Sequence, residues 1–164
     1  MRILGLDPGL QHTGWGIISF VKGTLSHVAH GVIHSCSKSP LSARLHTIYV
    51  GLTHVIEQYA PQEAAVEETF VNKNPASTLK LGMARGVVLL APAQAGLIVG
   101  EYSANRVKKT VVGVGHAGKD QVASMVQRLL PKAGNVTLDA ADALAVAICH
   151  AHFRESLTAW RAAS

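Results

Sequence analysis

The chain has 164 residues, 48% hydrophobic, 15% charged and 5% aromatic, which fits one globular domain with a sizeable core and excludes a disordered segment. Its two cysteines, Cys36 and Cys149, are too few and too far apart for a disulfide framework or a zinc knuckle. Fifteen Lys and Arg outweigh ten Asp and Glu, no apolar run reaches the ~18 residues of a membrane span, and no signal-peptide pattern precedes the first strand-like stretch, so a cytoplasmic protein with no membrane partner is expected.

"RILGLD" reads as a short apolar strand that ends in an acid, Asp7, before the turn pair Pro8-Gly9. "GWGIISFV" and "HVAHGVIHS" are two further strands separated by Lys22, Gly23 and Thr24, so the chain opens with an antiparallel meander. Ser39-Pro40 predicts an N-cap followed by proline at the first helical position. Leu41, Leu45, Ile48, Leu52, Val55, Ile56 and Tyr59 then form the stripe of an amphipathic helix, which Pro61 ends. "EAAVEETFV" is a buried strand running into two consecutive acids, Glu67 and Glu68.

A second helix is predicted from Asn74-Pro75 to Pro92. It is apolar almost all round, which predicts cover on more than one side. Gly82 and Gly86 leave a flat patch on it, suited either to internal packing or to a helix pair across a dimer. "GLIVGEY" reads as another strand and "NRVKKTVVGVG" as a basic connection with no clear period. "KDQVASMVQRLL" is a third helix, stopped at Pro131, and Asp139 opens a last helix, "DAADALAVAICHAHF". The expected organisation is one α/β domain over residues 1–153 and a C-terminal tail over 154–164.

"GVGHAGKD" matches both a dinucleotide fingerprint and most of a P-loop. The first needs a following strand to complete a βαβ unit, and only helices follow Lys119. The second needs Ser or Thr where Asp120 stands, and a carboxylate there would face phosphate oxygens. Neither nucleotide reading survives. What remains is a turn that places Lys119 at a helix start, where free N–H groups favour anions.

Four acids occupy positions where chemistry is plausible: Asp7 and Glu67 or Glu68 at strand ends, and Asp139 and Asp142 on one face of the last helix. Each has a plainer reading, Asp139 as an N-cap, Asp7 as a turn acid and the glutamates as a solvated strand end. Brought together they would repel one another unless a divalent cation sat between them, and oxygen-only ligation selects Mg²⁺ or Mn²⁺. Two such ions about 4 Å apart would clamp the attacking and leaving oxygens of a phosphoryl displacement. Nine basic residues lie between Lys73 and Lys132, opposed only by Glu101 and Asp120, which points to a polyanion partner. Within that span Lys73, Lys80, Arg85 and Lys109 are candidate DNA contacts. Cys149, His150 and His152 do not share a helix face, so core or surface roles are expected for them rather than zinc.

"ILGLDPGLQHTGWGII", "AAVEETFVNKNPASTLKLGMARGV", "VKKTVVGVGHAGKDQV" and "DAADALAVAICHAH" resemble, in order, the four motif blocks of the RuvC family of bacterial Holliday-junction resolvases. The resemblance implies a ribonuclease-H-like fold with a mixed five-stranded sheet in the order 3-2-1-4-5, flanked by helices. It implies a homodimer that nicks two opposed strands of a four-way DNA junction, with two Mg²⁺ ions (Mn²⁺ substituting), in cooperation with a branch-migration motor complex of RuvA and RuvB. By the same resemblance the catalytic and metal-binding acids fall on Asp7, Glu67, Asp139 and Asp142. Phe70 matches an aromatic used against bases near the crossover, and Lys108 and Lys119 match basic residues near the scissile strand.

Two other classes compete. "LGLDPG…TGWG" also resembles the first phosphate loop of actin-like ATPases, which need two such domains closing on a nucleotide, more than 164 residues supply. A non-catalytic nucleic-acid-binding relative would use the basic span but leave the four acids without purpose.

Overall fold

The computed structural model describes residues 1–68 and 73–162, the last eight by their backbone alone. In chain order the elements are β1 (Arg2–Asp7), β2 (His12–Val21), β3 (Thr24–His34), α1 (Leu41–Tyr59), β4 (Glu63–Glu67), α2 (Pro75–Gln94), β5 (Ile98–Tyr102), α3 (Ala104–Val112), α4 (Lys119–Leu129), a 3-10 turn (Pro131–Ala133) and α5 (Leu138–Ala162). The strands form one mixed sheet in the order β3-β2-β1-β4-β5. β1, β2 and β3 pair antiparallel, while β4 runs parallel to both β1 and β5. This is the expected ribonuclease-H-like arrangement.

The opening hairpin is tight because Lys22 (φ 49°) and Gly23 (φ 79°) both take the left-handed conformation, the two-residue turn that matches strand twist. Two apolar clusters cover the two faces of the sheet. On one face Ile48, Leu52, Val55 and Ile56 of α1 and Ala84, Val88 and Ala91 of α2 pack on Leu4, Leu6, Ile17, Ala64 and Val66. On the other, α3, α4 and α5 pack on Ile3, Ile18 and Ala65. Side chains alternate across a strand, so Leu4 and Leu6 face the α1–α2 layer while Ile3 and its alternates face α5. Asp7 shares the α5 side.

Several local expectations change. The basic stretch after β5 is no connection but a helix, α3, whose N-cap Ser103 accepts from the Arg106 N–H and whose Val107 and Val111 are buried one turn apart. Gly113 ends it in the left-handed conformation (φ 95°), so the first glycine of "GVGHAGKD" is a helix stop. At α1 it is Pro40, not Ser39, that holds the N-cap position, and no side chain caps that end. α2 passes through Pro92 to Gln94, and Asn74 caps it by accepting from the Ala76 and Ser77 N–H groups. α5 runs on from Leu138 to Ala162, so the stretch read as a C-terminal tail continues that helix.

The outer face of α2 is bare. Leu79, Met83 and Leu90 are 62%, 40% and 55% exposed, and added Cβ atoms at Gly82 and Gly86 would meet nothing within 4 Å. Internal packing of the two glycines is therefore excluded among the described residues. None of the described helices is long and apolar enough to cross a membrane.

Candidate active site

Backbone register brings the acids to one end of the sheet. Leu6 pairs with Val66, so Asp7 and Glu67 end two neighbouring parallel strands side by side. Alternation puts Ala65 against α5 and Ala64 and Val66 on the opposite side, so Glu67 joins Ala65 on the α5 face. Glu68, the other member of the ambiguous pair, is exposed, and its backbone N–H bonds to the Tyr102 carbonyl at 2.8 Å.

α5 reaches the same end because three glycines let its backbone lie almost on the sheet. A Cβ at Gly5 would stand 2.0 Å from the Ala143 carbonyl oxygen, and one at Gly14 2.1 Å from that of Asp139. At Gly16 it would meet Leu144 Cδ2 at 2.5 Å. No side chain is compatible with those separations, so glycine is required by close approach rather than by dihedral freedom. Gly14 pairs with Asp7 across β1 and β2, which seats the first turn of α5 directly beside Asp7. These glycines carry no sequence signal of close approach, since within "RILGLD" and "GWGIISFV" they read only as strand positions.

Asp139 does not cap the helix. Thr137 does, its hydroxyl accepting from the Ala140 N–H at 3.4 Å and its carbonyl from the Ala141 N–H at 2.8 Å. Asp139 sits inside the first turn with its carboxylate free of that duty.

The electrostatics are those of crowded acids. Burial pushes the Asp7 carboxyl up to about 8, and the charges of Glu67, Asp142 and Asp139 push the same way against Lys119. Burial and like charge thus favour the protonated form of Asp7, and its interaction with Glu67 opposes the rise of the Glu67 carboxyl. Glu67 is itself raised by burial and by Asp142, and Asp142 by burial, with Lys119 opposing. Lys119 Nζ lies 3.4 Å from Asp142 Oδ2 and is held above its ordinary value by that carboxylate. Half-buried Lys108, on α3, lowers both Glu67 and Asp142.

Among the described residues no three or more His, Cys, Asp or Glu side chains are grouped so as to hold a metal ion as they stand. The carboxylates instead relieve their repulsion with a proton and a lysine. That arrangement fits a hard divalent cation: the donors are all oxygen, and the proton on Asp7 marks where positive charge is wanted.

The remaining candidates scatter. Lys73, Lys80 and Lys109 are exposed. Arg85 is tied to Glu101 in an ion pair, and its buried Nε has no hydrogen-bond partner among the described residues. Lys109 lines an open groove of about 610 Å³ with Arg106, Thr110, His116 and Phe153. Phe70 lies outside the described residues. His150 is buried in a hydrogen-bonded cluster and His152 is exposed.

Comparison with known proteins identifies the family. The family model "Crossover junction endodeoxyribonuclease RuvC" matches residues 3–150. Relatives of that name from Paramagnetospirillum magneticum and Rhodospirillum rubrum are 63% and 60% identical over 154 residues, which is 94% of this chain and 93% and 91% of theirs. The solved structure "T. thermophilus RuvC in complex with Holliday junction substrate" superposes with a TM-score of 0.87 at 32% identity, over 96% of this chain and 97% of that one. With sheet order and sequence in accord, the chain belongs to the crossover junction endodeoxyribonuclease RuvC family.

Proposed function

We propose that this protein is the endonuclease that resolves Holliday junctions by metal-dependent hydrolysis of phosphodiester bonds. The observation that carries this reading is the convergence of Asp7, Glu67 and Asp142, whose charges act on one another, beneath two lysines in a protein of net charge +5. Asp7, Glu67, Asp139 and Asp142 would hold the cation, two Mg²⁺ ions in the fullest form, with Mn²⁺ able to substitute. When bound, such ions supply Lewis-acid charge at the phosphodiester and acidify a water molecule. The chain's own residues do the rest. Asp7 would lose its proton to solvent on joining the ligands, Lys119 keeps Asp142 oriented, and Lys108 and Lys119 add positive charge where a phosphate must approach carboxylates. Lys73, Lys80 and Lys109, with Arg85 if it leaves Glu101, contact the backbone of the arms, and Phe70 stacks on bases at the crossover. A branch-migration motor of the RuvA and RuvB kind would deliver the junction.

A four-way junction has two equivalent strands, so symmetric nicking needs two sites related by a two-fold axis. The bare face of α2, with Leu79, Met83 and Leu90 around Gly82 and Gly86, supports a homodimer through that helix.

The test is Asp7→Asn assayed on a labelled four-way junction with Mg²⁺. Cleavage should fall at least ~10²-fold while the junction Kd stays within about twofold, because cation charge serves the chemistry and phosphate contacts carry affinity. Near-normal turnover by Asp7→Asn would overturn the assignment of the site.

A further inference from the structure

A chain of polar groups runs through the apolar layer between α5 and the sheet. His150 on α5 is 1% exposed. Its Nδ1 lies 2.9 Å from the Tyr102 hydroxyl at the end of β5, and its Nε2 lies 2.8 Å from Glu63 Oε2 at the start of β4. Arg154, one turn further along α5, donates to both oxygens of Glu63, at 3.2 and 3.4 Å. Gly100 leaves the room this needs, since a Cβ there would stand 2.8 Å from His150 Nδ1.

The proton arrangement has a single direction. Burial holds the His150 imidazole below its ordinary value, hence neutral, and pushes the Tyr102 phenol up to about 12. Burial would raise Glu63, but the hydrogen bonds from Arg154 and His150 outweigh it and keep the carboxylate charged. Tyr102 O–H therefore donates to Nδ1, and Nε2–H donates to Glu63. Every member is satisfied, as a buried polar network must be to be tolerated.

What the network joins is informative. β4 begins at Glu63 and ends at Glu67. Tyr102 is the register partner of Glu67, and its carbonyl holds the Glu68 N–H. α5 carries Asp142 two turns before His150, about 12 Å along the axis. Elsewhere α5 meets the sheet by close approach, with the Ala143 carbonyl and Ala147 N over Gly5 and the Leu144 side chain over Gly16, which limits how near the helix can lie. The hydrogen bonds of His150 add a directional tie further along the helix.

We propose that His150 is a positioning residue, which through Tyr102 and Glu63 fixes the rotation and axial register of α5 against β4 and β5 and so sets the spacing between Asp142 and Glu67. The proposal rests on the carboxylate site argued above. It is tested with Tyr102→Phe, which removes one hydroxyl and keeps the ring, and with His150→Leu, both assayed well below their melting temperatures. Asp142→Asn is the control: if that variant still cuts, the site reading fails whatever the others do. Expected for both network variants is a kcat at least tenfold lower with KM and junction Kd within twofold. Mn²⁺ half-saturation without DNA, followed by the paramagnetic resonance signal of free Mn²⁺, should shift at least threefold to higher concentration. If His150→Leu does not fold, Tyr102→Phe alone decides. Folded variants that lose thermal stability yet keep the wild-type kcat and Mn²⁺ half-saturation would overturn the proposal, because the network would then only hold the core together.

Discussion

A carboxyl that titrates near 8 carries its proton through most of the range in which its unfolded counterpart, near 3.8, has lost it. For Asp7 the folded value is the higher one, so its contribution to stability is fully present below about pH 4 and is lost as pH rises towards 8. Glu67 and Asp142 are shifted the same way. The cation-free protein should therefore melt at lower temperature at pH 8.5 than at pH 5.5, and Asp7→Asn should flatten that slope. At pH 8 the variant should be the more stable by on the order of 1 kcal/mol, roughly 2–4 °C at this chain length. Calorimetry of both proteins in chelator decides it, and a wild type that gains stability up to pH 8.5 would contradict the raised Asp7 carboxyl. At this scale the acids were legible because charged residues at the ends of apolar strands have few purposes. Choosing Glu67 over Glu68 needed the family motif, since two adjacent acids differ only in the face they take. The role of His150 was not legible: its partners, Tyr102 and Glu63, lie 48 and 87 positions away.

Among the elements, α5 depends most on a feature that sequence conceals. Gly14 looks like an ordinary strand position, yet it is where the Asp139 carbonyl rests on the sheet. Gly14→Ala should lift the first turn of α5, destabilise the fold by about 1–3 kcal/mol as over-packed sites do, and abolish cleavage. Thermal melts and junction cleavage together check this, and an active variant with unchanged melting temperature would show that α5 is free to move. α3 escaped the sequence reading for a different reason. It is short, and its two buried valines are β-branched and set among basic residues, so the apolar stripe is one residue wide. Ser103 as an N-cap with Val107 and Val111 one turn apart was the available signal. α1 had neither problem, and its predicted stripe supplies the buried Ile48, Leu52, Val55 and Ile56.

At the scale of the whole molecule, the meander was readable from alternation and the Lys22-Gly23 turn, but the placing of β4 between β1 and β5 was not. Parallel pairing leaves no local mark, and the strand order came from the family resemblance. The bare α2 face carries the remaining prediction. Gly82→Arg, which meets nothing within the protomer, should leave the melting temperature of the protomer nearly unchanged, yield a monomer in sedimentation and replace paired nicks by single ones. Wild type sedimenting as a monomer at micromolar concentration with junction DNA would refute the α2 dimer.

The four carboxylates are dispersed along the polypeptide, with Asp7 and Glu67 in its first half and Asp139 and Asp142 close to its end. A ribosome that has completed β5 has delivered every strand of the sheet and half of the acids. Nothing able to cut DNA exists until α5 emerges and settles on the glycines of β1 and β2, a contact between the two ends of the chain. Such long-range contacts form late in folding, and growing chains fold from the N-terminus as they are made. If the proposed carboxylates do the cutting, competence therefore arrives only with α5, and a chain interrupted before that helix should cleave no junction.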